Sequence, residues 1–192
     1  MSEAEVITAS YATADYLKSL NPKSIWVMLD REGRDEFREF IQDETDPEYI
    51  VVGDYRSHFD FEHLNRALRL LAKGAHLIGM QNELTDGSFG ELELNVGSWV
   101  GMLERASGVQ AVYIGKPFPY AFQLALRSLG LQPDEVMMVG DRVSTDVLGA
   151  KNAGLRSALV KTGEFRIEDL QAGIQPDWIL EDIRELNNLF LD

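Results

Sequence analysis

The chain has 192 residues, 45% of them hydrophobic and 26% charged, which suits one domain of ordinary size or a small core plus a lobe and excludes a disordered chain. Its formal charge of −14 repels the phosphates of DNA and RNA, so the composition argues against nucleic acid as a partner, and solubility is the simplest use of the charge. The absence of cysteine removes disulfides, a thiol nucleophile and any cysteine-based zinc site.

The first ten residues, MSEAEVITAS, lack the basic and apolar regions of a signal peptide. No run approaches the roughly 18 apolar residues of a membrane span. These features set the expectation of a soluble, cytoplasmic protein without a membrane partner. A helix is expected over about 9–19, with Ala12, Tyr16 and Leu17 on one side, and Asn21-Pro22 breaks it. The run IWVML at 25–29 reads as a strand covered on both faces. A charged helix follows at about 32–41, with Phe37, Phe40 and Ile41 sharing a face. YIVV at 49–52, ending in Gly53, is the next buried strand.

An amphipathic helix spans 61–72 with Leu64, Ala67, Leu68 and Leu71 at helical spacing, closed by Lys73-Gly74. A strand is expected at 76–80, and the polar stretch 81–95 reads as a loop or hairpin. The rhythm then repeats. It gives a helix at 96–106, a strand at 111–114, and a helix at 118–129 with Phe118, Phe122, Ala125, Leu126 and Leu129 inward. Then come a strand at 136–139, a helix at 144–153 ending at Gly154, strands at 157–160 and 177–180, and a last helix at 181–190. Strands alternating with helices imply an α/β fold with parallel strands.

Two strings carry chemistry. In VMMVGDRVSTDVLGAKNAG, residues 136–154, an apolar strand delivers Asp141 at its C-terminal end, where open α/β sheets place their ligands. Asp146 follows five residues later, in the first turn of the next helix. Two carboxylates so placed suit a hard cation such as Mg2+, which takes few carboxylates and keeps waters and phosphate oxygens. The blander reading is a turn aspartate followed by an acid stabilised by the helix dipole. In IGKPFPYAF, residues 114–122, Lys116 stands just past a strand, between Gly115 and Pro117. An ammonium there is a point charge for a phosphoryl oxygen, or else a solvated lysine ahead of a proline-started helix.

In this order the two strings resemble the third and fourth motifs of the haloacid dehalogenase superfamily, and more closely its subfamily with a large α/β cap. The likeness runs through EVITASYATADYL, VVGDYRSHFDFEHLNRALRLLAKGAHLIGMQN, LNVGSWVGMLERASG, LVKTGEFR and PDWILEDIRELNNLF, and so covers essentially the whole chain. It implies a partial Rossmann-like core joined to an α/β cap. Residues 1–20 would be the remnant of the N-terminal core half, 21–107 the cap, and 108–192 the C-terminal core half. It implies Mg2+-dependent hydrolysis of a small phosphorylated substrate. Lys116 would steady the phosphoryl group, Asp141 would ligate Mg2+, and Asp146 would be its partner, direct or through water. The stretch 81–93 would be the specificity region.

The family's nucleophile is an aspartate in a D-x-D-G string on an earlier strand, followed by a phosphate-binding Ser or Thr. The resemblance places both before residue 1, so this chain is expected to be inactive alone and to bind Mg2+ weakly or not at all. VMLDREGR at 27–34 imitates the nucleophile motif, with Asp30 and Glu32 at the right spacing, but its surroundings match the cap. A non-catalytic module that binds a partner or a small anion is the rival reading. Without the nucleophile strand, VMMV at 136–139 would be an uncharged edge, which invites a homo-oligomer, a dimer in the first instance, unless residues 1–20 cover it.

Overall fold

The computed structural model describes residues 5–30, 32–56, 58–87 and 90–189. Four strands of the first part pair in parallel: β1 (Ile25–Met28), β2 (Tyr49–Val52), β3 (His76–Gly79) and, across from β3, β6 (Ala111–Tyr113), in the order β1-β2-β3-β6. The run of β-branched and aromatic residues in β1 and β2 exists because both faces are covered. On one face Trp26, Met28, Ile50, Val52 and Leu77 pack with Ala67, Leu70 and Leu71 of α2 (Phe61–Ala72) and Val96, Val100 and Leu103 of α3 (Val96–Ser107). On the other, Ile25, Val27, Val51 and Ile78 are equally buried. Asp60 caps α2 by accepting the N–H of His63, and Asn95 caps α3.

Between β3 and α3, where a loop or hairpin was expected, β4 (Thr85–Asp86) lies antiparallel to β5 (Glu93–Leu94). Ser88 and Phe89, inside the stretch assigned to specificity, lie outside the described residues. The helix α1 (Ala9–Leu20) buries Ala12, Ala14 and Leu17, is capped by Thr8, and packs against the segment Glu32–Phe37. That segment is a 3-10 helix of six residues rather than the longer α-helix expected. Phe37 is buried as expected, but Ile41 is 70% exposed, because the chain has already turned to lay Ile41 and Asp43 along Ile25 of β1.

The second part has its own parallel sheet: β7 (Met137–Gly140), β8 (Arg156–Val160) and β9 (Trp178–Leu180), in that order. Leu159 joins Val143 and Val147 on one face. Ala158, Val160 and Leu180 meet Met137, Val139, Leu186 and Leu189 on the other. The helices are α4 (Pro119–Leu129), α5 (Leu148–Ala153) and the short α6 (Leu186–Leu189), where a longer final helix was expected. In α4 Phe122 and Leu124 are buried, whereas Leu129, expected inward, is 60% exposed because it lies one residue before the left-handed Gly130 cap.

The chain divides into two compact units, residues 1–115 and 116–192. This moves two boundaries expected from sequence. The strand at 111–113 was grouped with the C-terminal half, but its register Leu77↔Ala111 and Ile78↔Val112 makes it the fourth strand of the first sheet. Residues 1–20, expected as a core remnant, fall in the first unit with the 3-10 segment that α1 covers.

Candidate active site

In the second unit β7 ends at Gly140 and hands the chain to Asp141. The next turn is π-helical, over Val143–Val147: the N–H groups of Asp146 and Val147 both reach the carbonyl of Arg142, at 2.9 and 3.3 Å. π-turns of this kind recur at functional sites because they re-aim one side chain without ending the helix. Here the re-aimed side chain is Asp146, which is buried to 3% exposure. Its Oδ2 accepts the backbone N–H groups of Asp141 and Arg142 at 3.2 and 3.1 Å. Its Oδ1 accepts from Lys116 Nζ at 2.6 Å. Gly140 is required by this arrangement, since a Cβ there would stand 2.3 Å from Asp146 Oδ2.

Lys116 is held in turn. The Lys116–Pro117 peptide is cis, the Pro117 carbonyl accepts from Asn152 Nδ2 of α5 at 3.0 Å, and α4 begins at Pro119 and packs on α5. The ammonium is half-exposed while its carboxylate partner is buried. A lysine so placed keeps donors for an incoming anion while one is spent on Asp146.

Asp141 is oriented from the other side. Its Oδ2 accepts the backbone N–H of Glu164 at 2.6 Å, from the loop after β8, and Arg142 pairs with the Glu164 carboxylate at 3.3 Å. Asp141 Oδ1 accepts no hydrogen bond from the described residues.

The three residues singled out from sequence are therefore linked through Asp146, which touches the Lys116 ammonium and the Asp141 backbone. Sequence reasoning missed Asn152, Gly163 and Glu164. The only signal for the last two was the string LVKTGEFR, noted for resemblance and not for chemistry. Tested against a divalent cation, Asp141 fits as a single hard-oxygen ligand with one oxygen open. Asp146 Oδ1 accepts from the Lys116 ammonium and its Oδ2 from two backbone N–H groups, so its carboxylate positions the lysine. Among the described residues no group of three or more His, Asp or Glu is arranged to hold a metal ion.

Asp30 lies elsewhere, in the first unit just past β1. Its carboxylate is 3.3 Å from His58 Nδ1, and Glu32 opens the 3-10 helix. The neighbouring strand β2, YIVV, presents no Ser or Thr. No helix of the described residues is long and apolar enough to cross a membrane.

Comparison with known proteins gives the family. The HAD-hydrolase-like family model matches residues 113–186. The chain is 37% identical over 169 residues to haloacid dehalogenase-like hydrolase domain-containing protein 2 of Bos taurus, covering 88% of this chain and 64% of that protein. It is 32% identical to the phospholysine phosphohistidine inorganic pyrophosphate phosphatase of Mus musculus, covering 100% of this chain and 71% of that one. Among solved structures, the 4-nitrophenylphosphatase of Thermotoga maritima superposes with a TM-score of 0.88 at 30% identity, over 95% of this chain and 72% of that chain. The 192 residues thus span about two thirds of the length of such relatives, and the chain belongs to the haloacid dehalogenase-like hydrolases.

Proposed function

We propose that these 192 residues carry the lysine and metal-binding half of a Mg2+-dependent phosphatase site for a small phosphorylated compound. The observation that carries this is the Lys116 ammonium at 2.6 Å from the buried Asp146, with Asp141 beside it offering one open oxygen. Lys116 would bind a non-bridging phosphoryl oxygen and offset the charge that builds up there, the kind of preorganised electrostatic help that dominates phosphoryl transfer. Asp146 would hold that ammonium in place. Asp141 would supply one ligand to Mg2+, which when bound neutralises phosphate charge. The attacking carboxylate, forming an aspartyl-phosphate that water then hydrolyses, would come from a D-x-D-G segment, a string that does not occur within these residues. In this reading residues from about 21 onward in the first unit, extended through β6 to Gly115, form the cap that governs substrate access, with 81–93 as its specificity region.

The test is turnover of 4-nitrophenyl phosphate with Mg2+. The 192-residue chain should show none above background. The same chain extended at its N-terminus by a D-x-D-G strand should gain it, and lose it again in Lys116→Met and Asp141→Asn. Turnover by the unextended chain that disappears in Asp30→Asn would make Asp30 the nucleophile. An extended chain that stays inactive would favour the non-catalytic binding module.

The same reading predicts self-association. Among the described strands β7 pairs along one edge only, with β8, and MMV carries no charge or proline to blunt the other. A two-fold dimer through that edge is the simplest closure. Light scattering after size exclusion should give twice the chain mass at tens of micromolar. A monomer at that concentration would remove the dimer from the reading.

A further inference from the structure

We infer that the loop following β8 is a positioning device for Asp141: the backbone at Gly163-Glu164 fixes one carboxylate oxygen so that Asp141 meets a cation with the other oxygen alone. The inference rests on the reading of Asp141 as a metal ligand. Three observations carry it. The Glu164 N–H donates to Asp141 Oδ2 at 2.6 Å, a short bond of the charge-assisted kind. Gly163 has φ +69°, and a Cβ on it would stand 2.1 Å from the same oxygen, so the loop reaches the carboxylate only with glycine at this position. Arg142 and Glu164 form an ion pair at 3.3 Å, which ties the loop after β8 to the loop after β7.

Because β7 and β8 are adjacent parallel strands, their C-terminal loops are neighbours, and the carboxylate lies between them. The consequence is chemical. A carboxylate with one oxygen engaged by an amide offers a single-oxygen contact, which suits Mg2+ or Mn2+. Ca2+ uses bidentate carboxylates readily and would have to displace the Glu164 N–H to do so. Partners that orient a ligating carboxylate typically contribute about 10–100-fold to metal affinity. The Glu164 side chain adds only a partly exposed ion pair to Arg142, which contributes little, and the contact with Asp141 itself is made by the Glu164 N–H.

The experiment is a Mn2+ titration of the full chain, followed by water-proton relaxation, with Ca2+ as competitor. Gly163→Ala should weaken Mn2+ by about tenfold or more and lower the preference for Mn2+ over Ca2+. Glu164→Ala, which keeps the N–H, should stay within about twofold of the unaltered chain, because the orienting contact is retained. Asp141→Asn should abolish binding. Circular dichroism reports whether Gly163→Ala folds. If it does not, the amide resonance of Glu164 in the unaltered chain decides: it should lie downfield, move in Asp141→Asn, and follow the Mg2+ titration with the midpoint of binding. Unchanged Mn2+ affinity in folded Gly163→Ala, or a Glu164 amide indifferent to Asp141→Asn, overturns the inference while leaving Asp141 as ligand. Unaltered binding in Asp141→Asn, or no cation binding even by the chain extended with a D-x-D-G strand, overturns the metal reading itself.

Discussion

The two parallel sheets of this chain are built from similar apolar strands but finished differently. In the first, β1 is an end strand whose free edge is occupied: Ile25 N–H donates to the Ile41 carbonyl, and Asp43 N–H donates to the Ile25 carbonyl. All four β1 residues are buried. In the second, β7 is also an end strand, yet all four of its residues remain half-exposed and its outer edge has no partner among the described strands. Asp141 follows the C-terminal end of β7, and Asp146 lies in the turn after it. The difference teaches that burial is unevenly divided: the first sheet has its end strand covered, and the candidate site lies beside an end strand whose outer edge has no partner among the described strands.

The sharpest way to break this comparison is by core truncation. Trp26→Ala, at a site 1% exposed within the first core, should cost about 3–5 kcal/mol in urea unfolding. Val139→Ala in the half-exposed β7 should cost only about 1 kcal/mol, since less apolar surface is lost from burial. Equal costs would mean that β7 is covered in solution, as the dimer requires of it only at higher concentration.

Next in size is Gly140→Ala. The added methyl has nowhere to go against Asp146, so the second unit should lose about 1–3 kcal/mol and the Lys116–Asp146 contact should open. The ammonium resonance of Lys116 reports the second effect, and no such coupling should accompany a methyl added on the first sheet. Asp146→Asn should cost somewhat less, about 1–2 kcal/mol. It keeps the shape and one acceptor for the two backbone N–H groups but gives up the charge that pairs with Lys116, a pair already discounted by the exposure of the lysine. A loss as large as that of Trp26→Ala would place Asp146 in the fold's core energetics instead of the site's.

The smallest effect is on pH. Asp182 accepts from the Arg184 guanidinium and backbone N–H, which hold its carboxyl down at about 2 against an ordinary 3.8. A lowered folded-state value means that the contribution is fully present above about pH 4 and disappears as pH falls through 2. Asp60, the cap of α2 in the first unit, is lowered in the same direction by the His63 backbone N–H and then the His63 ring. The stability difference between the unaltered chain and Asp182→Ala, or Asp60→Ala, should be flat above pH 4 and shrink below it. A difference that grows on acidification would reverse the sign at both carboxylates.

Much of this was legible in the amino-acid sequence, for a physical reason: periodicity and capping are local. The helix at 61–72 is bounded by its own Asp60 and Lys73-Gly74, and the strands at 25–28 and 49–52 are continuous apolar runs that only a doubly covered sheet satisfies. The string around Asp141 and Asp146 marked a candidate site because strand, glycine and acids lie within a dozen residues. Partnership across the chain was not legible in this way. Whether the strand at 111–113 joins β3 or the second sheet depends on pairing between residues more than thirty positions apart, which no local pattern encodes. That Asp146 meets Lys116, and that Glu164 reaches Asp141, depends on a π-turn and a loop approach that bring together residues 30 and 23 positions apart. The sequence by itself determined which residues carry charge to the strand ends. Only the tertiary structure decided which of those charges meet, because hydrogen-bond partners are chosen by distances that folding alone sets.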